Sequence, residues 1–348
     1  MADTFVQDIK FNCDVSDAQY WGYFSICGLL MRYRDLFRSE AGHDPWTPVP
    51  REEIAAWIDR KESRWPDLEA QGFRDLTIKG KTYPPFDIEG INEALNGDGY
   101  AYGAGYGMYL KPTFLLGRIR SVAEMDGHRV YTTEREIVRD LFTSAAMLQG
   151  RIIFLRLEPL KALLWDKFAG IRPGCDTAVL HAFQIGGIRS GQPIDEDFSA
   201  KLDRMVLAYS GVLLQHELAE SREAAPQWKE VLTKAGDRNA EHFLRAVQDL
   251  VADTSDVGPL HRIVADQDRQ SLSLMVGSLD GFRRFLFPGI REAYGRFLRD
   301  GDWSIIEEAR RNGAARFRGL RQKVLDLFEQ GDTDSFSRGL RELMQAPA

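Results

Sequence analysis

The chain has 348 residues, of which 44% are hydrophobic and 28% are charged, and its formal net charge is -7. This length and composition allow a sizeable core in one or two globular domains. The acidic balance disfavours a nucleic-acid partner, because such binding needs a basic surface. The cysteines indicate neither a disulfide framework nor a zinc ribbon and favour a reducing, cytoplasmic setting, since no C-x-x-C pair occurs among Cys13, Cys27 and Cys175.

The first ten residues contain neither the basic segment nor the apolar segment of a signal peptide, so we expect no signal peptide. The longest apolar run, residues 20–31, is too short for a membrane span, which takes about 20 residues. We therefore expect no membrane partner. The run follows Ser16-Asp17, a favourable N-cap, and we interpret it as part of a central helix that is buried on all sides.

The segment FNCDVSDAQYWGYFSICGLLMR at residues 11–32 resembles the start of an uncharacterised bacterial protein family. The resemblance continues through YGAGYGMYLKPTF at 102–114 and HELAE at 216–220. It implies one architecture over much of the chain. It supplies no activity that could be transferred to these residues.

The first half of the chain predicts short helices mixed with strands. In chain order, the predicted elements are a helix at 51–64, a hairpin at 76–83, a short helix ending near Leu95, a β-hairpin at 114–131, a helix from 133 to about 148, a strand at 151–156 and a helix at 159–168. The helix from 133 depends on Thr133-x-x-Glu136, which has the pattern of a capping box. We expect residues 1–173 to form a mixed region with a small antiparallel sheet.

Residues 174–348 show helical patterns only. The predicted helices lie at 196–222, 226–235, 238–252, 259–276, 279–287, 289–299, 303–329 and 333–344. Breaker clusters at 171–175 and 188–193 precede them, and the first is a candidate domain boundary. The expected fold class is α+β and mostly α-helical, with a mixed N-terminal region and an all-helical C-terminal region.

The predicted helix 196–222 ends in His216-Glu217-Leu218-Ala219-Glu220, an H-E-x-x-E sequence. It differs from the metallopeptidase pattern H-E-x-x-H in its last residue only. His216 and Glu220 lie one helical turn apart and could hold one divalent cation, such as zinc or iron, with Glu217 as a general base. Two structural alternatives stay open: a solvated helix end, or a buried His216–Glu220 hydrogen bond without metal.

A metal site of this kind needs a third protein ligand. Glu241 is near in sequence, but the apolar pattern of its helix places it and His242 on the exposed face. His261 and Asp268 share a stripe of the following predicted helix, and we take His261 as the preferred third ligand. His181 is a further candidate, although a lone histidine in an apolar helix is more often simply packed.

The glycine-rich segment that ends at Lys111 could wrap around a phosphate through its backbone N–H groups. Tyr102, Tyr106 and Lys111 would then form a ligand-binding loop. The alternative is a tight loop whose tyrosines pack on the sheet.

Arginines dominate one side of the predicted helix 303–329, where Arg310 and Arg318 belong to the same ridge. Such a ridge could bind an acidic protein, a nucleic acid or a phosphorylated ligand, and the alternative is a solvated face on which Glu307 pairs with Arg311.

Two functional hypotheses follow. One is a metal-binding, hydrolytic enzyme at the H-E-x-x-E helix; the other is a non-catalytic binding or scaffold protein that uses the arginine-rich surface. A protein partner and a homo-oligomer both stay open.

Overall fold

The computed structural model describes residues 3–95, 97–172 and 177–345 and divides into two compact units, Met1–Trp165 and Asp166–Ala348. The first unit mixes helices and strands, and the regular elements among the described residues of the second are all helices. The predicted fold class is therefore confirmed. The breaker cluster that we expected at 171–175 falls partly outside the described residues.

The first unit contains both predicted hairpins and the predicted helix that starts at Arg51. Its elements are α1 Asp3–Tyr20, a 3-10 turn Trp21–Tyr23, α2 Ile26–Ala41, α3 Arg51–Glu62, α4 Trp65–Leu68, β1 Leu76–Ile78, β2 Lys81–Tyr83, α5 Ile88–Leu95, β3 Tyr100–Tyr106, a 3-10 turn Met108–Leu110, β4 Pro112–Met125, β5 His128–Arg139, β6 Ala146–Gln149, β7 Ile152–Arg156 and the first part of α6 Leu157–Ala169, a helix that crosses the boundary at Trp165.

β1 and β2 form a two-stranded antiparallel hairpin, and the other strands form a five-stranded sheet in the order β3-β4-β5-β7-β6. Within the five-stranded sheet, β5 and β7 are parallel and the remaining neighbours are antiparallel. The sheet buries Tyr102, Phe114 and Leu116 in one cluster with Ile9 and Cys13 of α1. This apolar contact between α1 and the sheet forms a core of the first unit.

β3 occupies a stretch whose glycines we interpreted as a loop. A Cβ atom at Gly105 would lie 2.8 Å from the amide nitrogen of Gln149, and one at Gly103 would lie 3.2 Å from its amide oxygen. Because glycine has no side chain, the β3 backbone can approach Gln149 of β6 this closely. The glycines therefore serve packing inside the sheet.

The helix predicted from the capping box at Thr133 is wrong, because β5 continues to Arg139. Thr133 pairs with Ile119 of β4 on one side and with Arg156 of β7 on the other. The Glu136 carboxylate binds the Arg156 guanidinium instead of capping a helix. Two neighbouring strands supply backbone partners here, and a four-residue local pattern cannot reveal them.

The prediction of a buried central helix over 20–31 is also wrong. α1 begins at Asp3 and ends at Tyr20, and α2 begins after Ser25, whose Oγ accepts a hydrogen bond from the Gly28 N–H. Trp21 is 48% exposed and Ile26 is 81% exposed. The buried part of this region is the polar end of α1 instead.

That polar end packs around two lysines. The Nζ atom of Lys111 lies 3.3 Å from the carboxylates of both Asp17 and Asp140 and donates a 2.7 Å hydrogen bond to Ser16 Oγ. Lys61 lies 3.6 Å from the same Asp17 carboxylate. Burial raises the pKa of Asp17, although both lysines oppose this shift. The charged side chains can be buried because they neutralise one another.

The second unit follows the predicted helices closely. Its elements are α7 Thr177–Ile185, α8 Glu196–Arg222, α9 Trp228–Thr233, α10 Arg238–Thr254, α11 Pro259–Asp266, α12 Arg269–Ser278, α13 Gly281–Leu286, α14 Pro288–Asp300, α15 Trp303–Gln330 and α16 Thr333–Gln345. The helix predicted at 259–276 is two helices, because Gln267 adopts a φ of 52° and Asp268 caps α12. Among the described residues, no helix combines the length and apolar character that crossing a membrane requires.

α10 positions the candidate site because its two faces differ. Phe243, Val247 and Leu250 are fully buried in the apolar core of this unit. Asp249 and Asp253 project from the other side of the helix toward α8, where they contact His216. Burial of the apolar face thus holds two carboxylates against the H-E-x-x-E segment.

Candidate metal centre

α8 brings three potential metal ligands together at its C-terminal end. Its N-cap is Asp195, whose side chain accepts a hydrogen bond from the Phe198 N–H. His216, Glu217 and Glu220 each offer one ligand atom, and these atoms lie within 4.8 Å of one another. Glu217 is buried, and the side chain of His216 is only 17% exposed. This burial disfavours the alternative of a solvated helix end.

Asp253 orients the imidazole ring of His216. Its Oδ1 atom lies 2.8 Å from Nδ1 of His216, while Oδ1 of Asp249 lies 4.0 Å from Nε2. An ionised carboxylate can only accept a hydrogen bond, so Nδ1 carries the proton. In the neutral ring, Nε2 then has its lone pair available, and it is the nitrogen that faces Asp249. A carboxylate behind a histidine is the usual support of a metal-binding imidazole.

Arg283 of α13 holds the two aspartates from the other side. Its Nη2 atom lies 2.7 Å from Asp253 and its Nη1 atom lies 4.0 Å from Asp249. Burial raises the pKa of Asp253, but Arg283 and His216 outweigh it and lower that pKa below its ordinary value. Asp253 is therefore ionised and bridges the guanidinium and the imidazole.

Two other acidic groups, Asp249 and Glu220, retain protons more strongly than an isolated carboxyl group does. Burial raises the pKa of Asp249, with Arg283 and His216 opposing it, and burial also raises the pKa of Glu220. Burial lowers the pKa of His216, but the surrounding carboxylates, Asp253 first, outweigh it and raise that pKa to about 10. The cluster thus has an excess of acidic groups that attracts a proton or another cation.

Family models account for nearly all of the chain. A family of unknown function (DUF6866) matches through its N-terminal domain at residues 4–156 and its C-terminal domain at residues 161–346. The chain belongs to the DUF6866 family. This confirms the relation to an uncharacterised family that the sequence suggested. No curated protein and no solved structure matches the chain. The candidate metal centre lies wholly within the DUF6866 C-terminal domain.

The sequence did not reveal the partners that α10 and α13 contribute in this DUF6866 protein. Asp249 and Asp253 are four residues apart and therefore share a helical face, which is the one local signal that could have marked them. Glu241 lies on the same helix and is buried, with Arg245 donating a 2.8 Å hydrogen bond to it. The expectation that Glu241 is exposed is therefore wrong.

The preferred third ligand, His261, is not part of this cluster. It is exposed on α11, and the donor group of the described residues contains only α8 side chains. Asp268 caps α12 by accepting a hydrogen bond from the Ser271 N–H at 3.0 Å. His181 lies on α7, where its Nδ1 atom is 3.4 Å from the hydroxyl of Tyr294. On α10, Oδ1 of Asp249 lies 4.0 Å from Nε2 of His216.

The three residues of the expected ligand-binding loop have separate structural roles. Tyr102 is fully buried and donates a 2.7 Å hydrogen bond to the carbonyl of Pro85. Tyr106 is 58% exposed and stacks on Phe86 with 5.3 Å between ring centroids. Lys111 is 2% exposed and is paired with buried aspartates. A phosphate would have to displace these carboxylates to reach Lys111.

Arg310 does not belong to the exposed arginine ridge that we expected, because it is only 2% exposed. Arg310 donates to the Thr254 carbonyl at 2.7 Å and pairs with Glu307 at 2.8 Å and Asp256 at 3.0 Å. Arg318 is 43% exposed and pairs with Glu223 at 2.6 Å. Ion pairs within the unit therefore occupy both arginines.

Glu307→Gln is expected to lower the free energy of unfolding by about 1.5–3 kcal/mol near pH 7, the usual contribution of a hydrogen bond to a charged group. Hydrogen bonds from Arg310 lower the pKa of Glu307 to about 2, and burial opposes them. Since the folded-state pKa is below the unfolded one, the stabilisation is present above about pH 4.5 and is lost as pH falls toward 2.

Urea unfolding at several pH values measures this difference. Glu308→Gln, a change in the exposed neighbouring residue, is the matched control and should leave the unfolding free energy nearly unchanged. A Glu307→Gln effect that stays constant from neutral pH to about pH 2 would contradict the prediction.

Proposed function

We propose that the DUF6866 C-terminal domain binds a divalent metal ion through His216, Glu220 and Asp249 and serves hydrolytic chemistry. The observation that carries the proposal is that the ligand atoms of His216, Glu217 and Glu220 lie within 4.8 Å of one another. Asp253 orients the imidazole ring of His216 in this cluster. One imidazole with several carboxylates suits zinc, iron or manganese. Such an ion supplies Lewis acidity toward a carbonyl or phosphoryl group.

The donor set fits a cation for two further reasons. His216 is surrounded by the carboxylates of Glu217, Glu220, Asp249 and Asp253. Arg283 pairs with the two aspartates among them. Among the described residues, the carboxylate of Glu220 makes no hydrogen bond or ion pair, although burial raises its pKa. A half-buried carboxylate of this kind is stabilised by a positive partner.

The remaining side chains have roles of their own in this proposal. Asp253 holds the proton of His216 on Nδ1, and Arg283 keeps Asp253 ionised. Glu217, which follows His216 directly and belongs to the donor cluster, is the proposed general base that takes a proton from the nucleophile. Asp249 is 31% exposed, so the cluster is open to solvent and substrate on the α10 side.

Elemental analysis of the full chain, purified without added metal, tests metal binding. We expect roughly one equivalent of zinc, iron or manganese per chain, and below about a tenth of an equivalent in His216→Ala and Glu220→Gln. His261→Ala is the matched control, because it removes an exposed histidine of the same domain. If the wild type stays near the level of His216→Ala even after incubation with each metal, the site does not bind metal.

Glu217→Gln separates catalysis from metal binding. We expect this variant to keep its metal and to hydrolyse model esters, phosphodiesters or peptides roughly 100-fold more slowly than the metal-loaded wild type, the usual effect of losing a general base. Circular dichroism confirms that the variant is folded. Hydrolysis that is equal in the two proteins would exclude Glu217 as the base.

A further inference from the structure

The DUF6866 C-terminal domain has a second candidate site, away from the residues of the metal centre. A cavity of about 650 Å³ lies where the end of α7, the start of α12 and the end of α14 meet. Cavities of roughly 300–1,000 Å³ are the usual size of sites for small molecules. His181, Arg269 and Phe297 are among the residues that line it.

The charge of the cavity lining is positive. Arg269 and Arg299 contribute two guanidinium groups, and Asp300 contributes one carboxylate. Arg269 lies over the ring of Phe297, 5.5 Å from its centroid, and makes no ion pair among the described residues. Arg299 uses one N–H group to donate to the Gly295 carbonyl at 3.0 Å. Both arginines therefore keep donors for an anionic ligand.

A chain of hydrogen bonds sets the tautomer of His181. The Ser273 hydroxyl donates to the Arg269 carbonyl at 2.7 Å, so it accepts from the Tyr294 hydroxyl, 2.8 Å away. The Tyr294 oxygen can then accept from Nδ1 of His181 at 3.4 Å. The neutral ring keeps its lone pair on Nε2, which can accept a hydrogen bond from a ligand.

Three apolar side chains, Phe297, Ile185 and Leu298, line the cavity beside polar ones that include Gln184 and Ser273. Phe297 is buried behind Arg269, whereas Ile185 is 52% exposed and Leu298 is 42% exposed. Sites for small organic ligands combine apolar surface with polar groups that fix the orientation of the ligand. A bare inorganic anion would leave Ile185 and Leu298 in contact with water, so the lining favours a ligand with an apolar body.

We propose that this cavity binds a small organic acid. Arg269 and Arg299 hold its single anionic group, which is a carboxylate or a phosphate. An apolar, ring-sized body lies against Phe297, Leu298 and Ile185, and His181 accepts a hydrogen bond from a hydroxyl or amino group of the ligand. The site is independent of the metal centre, because the two share no residue.

Ligand-observed NMR titrations of the full chain with benzoate, phenyl phosphate and benzylamine test the proposal. We expect saturable binding of benzoate or phenyl phosphate, and the comparison of the two identifies the anionic group. Benzylamine, a cation of similar shape, should bind at least about tenfold more weakly. The same titrations in His216→Ala should give unchanged affinities, which excludes binding at the metal centre.

Two kinds of variant locate the binding. Arg269→Gln and Arg299→Gln should each weaken binding by roughly tenfold or more, since each removes charged hydrogen bonds. Arg296→Gln, an exposed arginine of α14 that does not line the cavity, is the matched control and should bind as the wild type does. Ile185→Trp should block the cavity without a change in charge.

Three results would each overturn this proposal. One is no saturable binding of either anion up to about 10 mM, beyond the weak limit of a specific site. The second is equal binding of benzylamine and benzoate. The third is binding that Arg269→Gln, Arg299→Gln and Ile185→Trp all leave at the level of Arg296→Gln.

Discussion

Lys111→Met is expected to destabilise the DUF6866 N-terminal domain by about 3–5 kcal/mol, because it leaves buried carboxylates without their cation. Lys111 is 2% exposed, and its Nζ atom lies 3.3 Å from both Asp17 and Asp140, which are fully buried. Asp17 keeps Lys61 as a partner at 3.6 Å. Methionine fills a similar volume, so the change removes the charge and keeps most of the packing.

Chemical unfolding followed by tryptophan fluorescence measures the change in the free energy of unfolding. Lys10→Met is the matched control, because Lys10 is 44% exposed and pairs with Glu40 at 3.5 Å on the surface. A surface pair of this kind contributes about 0–1 kcal/mol. If Lys111→Met and Lys10→Met lower the free energy of unfolding equally, the prediction is wrong.

The double variant Lys111→Met/Asp17→Asn tests whether the cost comes from unpaired charge. Neutralising Asp17 removes one of the two carboxylates that Lys111 balances. We expect the double variant to be more stable than the sum of the two single changes predicts, by about 1 kcal/mol or more. If the effects of the two single changes simply add in the double variant, the effect of Lys111→Met comes from lost packing and not from unpaired charge.

Asp253→Asn is expected to weaken metal binding by roughly 10–100-fold, the usual effect of changing the group behind a metal-binding histidine. The same change should destabilise the metal-free C-terminal domain by about 3–5 kcal/mol, because Arg283 and His216 lose a buried anionic partner. Asp253 is 3% exposed at its side chain and contacts these residues at 2.7 Å and 2.8 Å. Asparagine retains the shape of the side chain but not its charge.

Chelator competition measures metal affinity, and unfolding with excess chelator measures the stability of the metal-free domain. Asp266→Asn is the matched control: this aspartate of α11 is 51% exposed and pairs with Arg262 at its surface. The control should change either quantity by less than about 1 kcal/mol. The prediction fails if Asp253→Asn behaves like the control in both measurements.

The limits of sequence-based prediction differ between the two halves of the chain. The helices of the second half were predicted closely, since helical periodicity and Gly, Pro and Asp boundaries are local features. In the first half, Thr133 lies in a strand because β4 and β7 flank it. The polar end of α1 is buried because Lys111 and Lys61 neutralise it. Neither lysine is near α1 in sequence.

The H-E-x-x-E sequence by itself determined that His216, Glu217 and Glu220 gather at one end of a long helix. The helical repeat sets this spacing, whatever packs against the helix. Tertiary structure alone decided that Asp249, Asp253 and Arg283 complete the cluster and that His261 does not. The partners of a helical face depend on how the apolar faces of α8, α10 and α13 are buried together, and that burial depends on the whole domain and not on one helix.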